Sequence, residues 1–166
     1  KNGKLQRNKI KNHPRYPYHL LREEMQEFIL DKLQLLIERK LIKGIGENGT
    51  EYTVIAQILD LPKEILRLIQ KFDFTKKNPK LIYINTGETM ISLQDSILVT
   101  FLNLAGFDIL FFVPTGYQSV ENYFAEKLME EHQIGEYKYD MQVPDLNNIS
   151  TNSTRPSWRR KLFRRG

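Results

Sequence analysis

From about His19 to Lys43 apolar residues recur every three or four positions (Leu21, Met25, Phe28, Ile29, Leu33, Leu36 and Ile37), with Arg22, Glu23, Glu27, Asp31, Lys32 and Glu38 between them. That period predicts a long amphipathic helix with one face toward a core, stopped by Gly44 and Gly46. A turn over Glu47 to Thr53 follows. Tyr52 to Leu59 and Pro62 to Lys71 predict two shorter helices, Asp60 lying close to the N-cap and Pro62 in the first turn, where its missing N–H costs least.

Beyond Asn78 and Pro79 the pattern changes. Leu81, Ile82, Tyr83 and Ile84 form a β-branched and aromatic run too short for a helix, ended by Asn85, Thr86 and Gly87, and this predicts a strand. Ser92 to Ala105 returns to the helical period, with Ile97, Leu98, Phe101, Leu102 and Ala105 on the buried side and Gly106 as the stop. Phe107 to Val113 predicts a second strand, and its unbroken apolar run suits a strand covered on both faces. After Pro114, Thr115 and Gly116, Ser119 is placed to cap a further helix from Val120 to about His132. Strand, helix, strand, helix implies parallel strands joined by a crossover. Two strands are too few for an independent sheet of this kind. Either Tyr137 to Val143 adds a third, or the missing strands lie upstream of Lys1 in a longer protein.

The fold class read from this order is α/β: a helical N-terminal segment plus a partial parallel, Rossmann-like strand-helix-strand-helix unit, as a fragment of a larger doubly wound protein. The expected organisation is a basic arm (1–18), a helical segment (19–78), the partial α/β unit (79–145), a flexible linker (146–154) and a basic aromatic tail (155–166). The 166 residues, 40% of them hydrophobic, are enough for one ordinary domain. The longest apolar stretch, Ile97 to Val113, is broken by Asn103, Gly106 and Asp108, so no membrane-spanning helix is expected.

Charge changes the picture at the two ends. The formal charge is +5, from 25 Lys and Arg against 20 Asp and Glu. Residues 1–15 hold six of the cations and residues 155–166 another six, with no acid in either stretch. Removing those 12 leaves 13 cations against all 20 acids, a balance of −7 for the body. A basic total therefore says little about a nucleic-acid surface on the fold itself. The absence of cysteine removes disulfides, thiolate metal sites and cysteine nucleophiles. His13 lies in the basic arm, His19 starts a helix and His132 ends one, so no metal site is expected.

Candidate chemistry concentrates in two loops. In parallel α/β sheets, helix N-termini and loop amides converge beyond the C-terminal ends of the strands, and ligands bind there. After the first strand come Asn85, Thr86, Gly87, Glu88 and Thr89; after the second come Pro114, Thr115, Gly116, Tyr117 and Gln118. Glycine permits a tight turn or close approach, and a threonine hydroxyl can bond a phosphate or sugar oxygen. The ligand-binding candidates are Asn85, Thr86, Gly87, Thr115, Gly116, Tyr117 and Gln118, with Glu88 the carboxylate placed for acid or base work. The same residues are also ordinary turn formers. With neither a Walker lysine nor a dinucleotide glycine fingerprint, the cofactor stays unknown and enzyme status open.

Residues 56–69 have helix-turn-helix spacing, but Asp60 and Glu64 offset Lys63 and Arg67, so a packed hairpin is expected and nucleic acid is not an expected partner. The tail sets Arg155, Arg159, Arg160, Lys161, Arg164 and Arg165 around Trp158, Leu162 and Phe163, which share one side of a helix. It suits an anionic membrane surface, at about 1 kcal/mol per cation, or an acidic partner; its alternative is a solubilising role.

The run Leu81-Ile-Tyr-Ile-Asn-Thr-Gly-Glu88, with Asp95-Ser-Ile-Leu98 and Gly106-Phe-Asp-Ile-Leu-Phe-Phe-Val-Pro-Thr-Gly-Tyr-Gln118, resembles the YceG-like family of bacteria. The resemblance is clearest over Lys80 to Leu146. It implies the C-terminal part of a much longer protein, a component of a biosynthetic module encoded beside tellurite-resistance genes. It also implies a cytoplasmic, stress-linked role with operon proteins as partners, and it brings no catalytic residues. Two functions follow as expectations: part of an enzyme holding a phosphorylated or sugar-like molecule at the Thr-Gly loops, or a non-catalytic module docking through its tail on partner proteins or the inner face of a membrane.

Overall fold

The computed structural model describes residues 4–71, 77–87, 91–117 and 120–143. In chain order these form α1 (Arg7–Lys11), α2 (Glu23–Glu38), α3 (Thr50–Ile58), α4 (Lys63–Lys71), β1 (Lys80–Ile84), α5 (Leu93–Leu104), β2 (Asp108–Phe112) and a 3-10 turn (Val120–Tyr123). The predicted linker (146–154) and tail (155–166) lie outside the described residues.

Three amphipathic helices make the core. Ile29, Leu30, Leu33 and Leu36 of α2, Val54 and Ile58 of α3, and Ile97, Phe101 and Leu102 of α5 are completely buried. The three helices pack on one another pairwise. Each such aliphatic side chain withdrawn from water contributes about 1.5–3 kcal/mol, which fixes the arrangement of the helices.

The long helix predicted over 19–43 is shorter at both ends. Residues 13–21 form turns that bury Tyr16 and Tyr18, and α2 starts only at Glu23. Its other end is a Schellman motif built without glycine: Leu41 N–H donates to the Leu36 carbonyl, Lys40 N–H to the Ile37 carbonyl, and Lys40 takes φ +50°. Leu36 and Leu41 are both buried at this stop, and Ile42 is then free to bridge Phe124 in antiparallel fashion.

Residues 1–18, read as a basic arm, include an ordered part of the body. Arg7 pairs with Glu27 at 3.0 Å and Asp31 at 2.7 Å, and Lys11 with Glu23 and, at 2.7 Å, Glu27. The two cations hold the Glu27 carboxyl below its ordinary pKa, Lys11 through the stronger hydrogen bond. The N-terminal charge thus has an intramolecular use, matching acids on the outer face of α2. Tyr18 completes the attachment: its hydroxyl donates to the Ile58 carbonyl at 2.5 Å and accepts from Leu61 N–H at 3.0 Å, tying the segment to the turn between α3 and α4.

The β1-α5-β2 prediction matches the structure to within a residue at each strand start. The strands are parallel, with Lys80 opposite Asp108 and Ile84 opposite Phe112. Gly106, at φ +99°, ends α5 in a second Schellman motif, Phe107 N–H donating to the Leu102 carbonyl. Leu81, Ile109 and Phe111 pack toward the core, and Tyr83 stacks on Phe111 with ring centroids 4.8 Å apart. The expectation that the second strand is covered on both faces does not hold. Both strands alternate exposed and half-buried positions, and Ile82, Ile84, Leu110 and Phe112 look outward. Among the described residues the sheet has two strands, a mixed helix and strand architecture that does not by itself amount to a Rossmann-like sheet.

The fifth predicted helix, Val120 to His132, is reduced to the 3-10 turn. Lys43 N–H donates to the Tyr123 carbonyl and Ala125 N–H to the Leu41 carbonyl, so backbone groups that a helix would use are bound to the chain after α2. Phe124 is buried there. Tyr137 to Val143 forms no third strand; Lys138 N–H instead donates to the Pro114 carbonyl beyond β2.

Candidate functional site

Because β1 and β2 run parallel in register, the loops that follow them leave the same end of the sheet side by side. Asn85 N–H extends the ladder by donating to the Phe112 carbonyl at 2.9 Å. The Asn85 side-chain oxygen then accepts from Gly87 N–H at 3.2 Å, an Asx turn that reverses the chain and leaves Thr86 half-buried at its tip. In the second loop Gly116 N–H donates to the Val113 carbonyl at 2.9 Å, and Gly116 takes φ +68°. Thr115 is buried, and its hydroxyl accepts from Tyr117 N–H at 3.3 Å. The two threonines are therefore not equivalent: Thr115 shapes its own turn, whereas no turn bond engages the Thr86 hydroxyl among the described residues. Tyr117 is exposed.

The fold thus brings together Asn85, Thr86, Gly87, Thr115, Gly116 and Tyr117. Glu88 and Gln118 lie outside the described residues. Two neighbours were not legible in the sequence. The ring of Tyr137 lies against Gly116 so closely that a Cβ there would fall 2.2 Å from it, which gives the glycine a packing role. The sequence offers Tyr137 to Val143 as a third strand, one of two alternatives for completing the sheet. The other neighbour is Asp95 in the first turn of α5. The Ser92 hydroxyl accepts from Asp95 N–H at 3.0 Å and donates to the Asp95 carboxylate at 2.7 Å, so this helix N-terminus already has both a cap and an anion. An additional anion gains less there than at an unoccupied helix start.

Tyr83 sits under the first loop on the core side, where burial, and to a lesser extent Asp95, pushes its hydroxyl pKa up. It stays protonated at neutral pH. No group of three or more His, Asp or Glu side chains suited to a metal occurs among the described residues. None of their helices is long and apolar enough to cross a membrane.

The arrangement is a pair of polar turns rich in backbone amides and hydroxyls, bordered by two aromatic rings. A family model described as the YceG domain matches residues 1–154. The chain belongs to the YceG family. It is also similar to the uncharacterised protein YceG of Bacillus subtilis (strain 168), at 31% identity over 93 residues, which are 54% of this chain and 17% of that protein. The match therefore spans only a small part of the length of this YceG relative. No solved structure matches the chain.

Proposed function

We propose that this YceG-family chain contributes a small-molecule site at the C-terminal ends of its parallel strands, taking a phosphorylated or sugar-like ligand between Asn85 to Gly87 and Thr115 to Tyr117. The observation that carries the reading is the register of β1 and β2, which sets two Thr-Gly turns beside each other at the sheet end where such ligands bind. Asp95 at the start of α5 favours a ligand that presents hydroxyl groups on that side. Thr86 supplies a hydroxyl contact and Tyr117 a ring for an apolar face, while Gly116 lets the turn pack against the Tyr137 ring. Glu88 is the proposed acid or base if a reaction follows. In the cell the site serves a cytoplasmic biosynthetic module linked to tellurite resistance, together with proteins of the same operon.

A thermal-shift screen against sugar phosphates, nucleotide sugars, nucleotides and phosphoribosyl compounds tests the proposal. A ligand at about 100 times its Kd adds roughly 2.7 kcal/mol to stability, which is readily seen. Thr86→Val should abolish most of the shift while leaving the unliganded melting temperature unchanged. A shift that survives both Thr86→Val and Tyr117→Ala places the ligand elsewhere, and an empty screen removes the ligand reading.

A further inference from the structure

The N-terminal segment turns two of its cations toward α2 and holds others apart. Arg7 and Lys11, four positions apart on one side of α1, pair with the acids of α2. Lys9 lies about 200° around the helix from either. Like Arg15, it pairs with no acid among the described residues. Lys9, His13 and Arg15 instead line an open groove of about 510 Å³, to which the turn between α3 and α4 contributes Asp60. Ile10, Tyr16 and Leu59 supply its apolar lining. We propose that this groove binds a small phosphate monoester with a hydroxylated body, Lys9, His13 and Arg15 holding the phosphate and Asp60 accepting from the hydroxyls.

Both sides of the groove are fixed by the fold. His13, Pro14, Arg15 and Tyr16 form a β-turn with proline at its second position, closed by Tyr16 N–H donating to the His13 carbonyl at 2.9 Å. Within it Arg15 N–H donates to His13 Nδ1 at 3.2 Å, which leaves the ring proton on Nε2 as a donor. The turn is seated by the buried Tyr16 ring. On the other side, the Tyr18 hydroxyl bonds the Ile58 carbonyl and Leu61 N–H, the backbone groups that flank Leu59 and Asp60. The cations and the carboxylate are therefore held at set positions before any ligand arrives, and less ordering is lost on binding. The donor set selects the ligand. A guanidinium alone can satisfy a carboxylate, whereas guanidinium, ammonium and imidazole N–H together match the three free oxygens of a phosphate monoester. Asp60 repels a polyanion such as nucleic acid and accepts from sugar-like hydroxyls. The volume falls within the range of about 300–1,000 Å³ usual for small-molecule sites. The groove shares no residue with the Thr-Gly turns and is a second site independent of them.

Amide chemical-shift mapping of the full 166-residue protein tests the proposal, with glucose 6-phosphate, inorganic phosphate and glucose as probes. Physiological salt screens diffuse attraction to the cationic ends of the chain. Glucose 6-phosphate should give saturable shifts centred on the amides of Ile10, Arg15, Leu59 and Asp60, inorganic phosphate weaker ones at the same amides, and glucose none. Lys9→Gln and Arg15→Gln should each weaken the glucose 6-phosphate Kd roughly tenfold, the equivalent of one charge-assisted hydrogen bond. Both side chains are exposed, so the variants should keep the parent melting temperature. Asp60→Asn, which removes a repelling charge and the hydroxyl acceptor together, should tighten inorganic phosphate and narrow the advantage of glucose 6-phosphate over it. Shifts that fail to saturate, or that survive both Lys9→Gln and Arg15→Gln, overturn the proposal. So do shifts confined to 85–87 and 115–117, which assign the phosphate to the Thr-Gly turns, and an advantage for glucose 6-phosphate that Asp60→Asn leaves unchanged.

Discussion

Replacing Tyr18 by Phe removes one oxygen and leaves two buried backbone groups, the Ile58 carbonyl and the Leu61 N–H, without the partner they now share. Each such loss costs about 1–3 kcal/mol, less for a carbonyl than for an amide, so Tyr18→Phe should destabilise the protein by about 2–4 kcal/mol. At roughly 2–4 °C per kcal/mol for a chain of this size, the melting temperature should fall by about 5–15 °C. Tyr16 is the internal control. It is 4% exposed against 2% for Tyr18, its ring meets that of Tyr18 edge-on at 5.8 Å, and its hydroxyl has no hydrogen-bond partner among the described residues. Tyr16→Phe therefore removes an unsatisfied buried hydroxyl at the same shape and should be neutral or stabilising by up to about 1 kcal/mol. Urea titrations of the two variants beside the parent decide the matter, provided the midpoint moves while the slope stays fixed. If Tyr18→Phe lies within about 0.5 kcal/mol of the parent, or if both variants lose the same amount, the two bonds do not anchor the N-terminal segment and the argument fails.

Lys40 ends α2 with a positive φ that favours glycine, so Lys40→Gly should stabilise by about 1 kcal/mol in the same titration, whereas Lys40→Val should destabilise. Ser92→Ala removes the cap of α5 and should cost about 1 kcal/mol in melting experiments. Gly116→Ala meets both the strain of φ +68° and the Tyr137 ring; amide exchange at Lys138 should accelerate more than exchange in α5, because the exposed Tyr137 ring gives way before the core does. Burial raises the pKa of the Tyr16 and Tyr18 hydroxyls above their unfolded value, so their contribution is complete below about pH 10 and is lost as pH rises beyond it. The melting temperature should drop in that range and drop less in Tyr18→Phe. On the acid side the lowered pKa of Glu27 and Asp108 acts in the opposite sense: their contribution is present above about pH 4 and fades below it.

The amphipathic period of α2, the β-branched runs of the two strands and Gly106 behind α5 are local signals, and each appears in the structure where the sequence predicts it, to within a few residues. The helix and strand periods specify which side chains must leave water, and Gly106 takes a positive φ that a side chain would adopt only under strain. Loop position was legible for the same reason: parallel strands in register put Asn85 to Gly87 and Thr115 to Tyr117 at one end. What remained hidden depends on partners distant in sequence. α2 stops at Glu38 because Leu41 and Ile42 turn inward to meet Phe124 and its neighbours, and lysine carries no mark of that bend. The helix expected after Val120 is given up to the same pairing, since its backbone groups find carbonyls and amides near residue 42. The six N-terminal cations look like an arm when counted along the chain; only the facing acids of α2 and the buried hydroxyl of Tyr18 attach this segment to the body. Thr115 and Thr86 read alike in sequence, and burial alone separates the hydroxyl that holds a turn from the one left at its tip. Composition and period fix what has to be buried, whereas the choice of partner for each polar group is made only when the whole chain has packed.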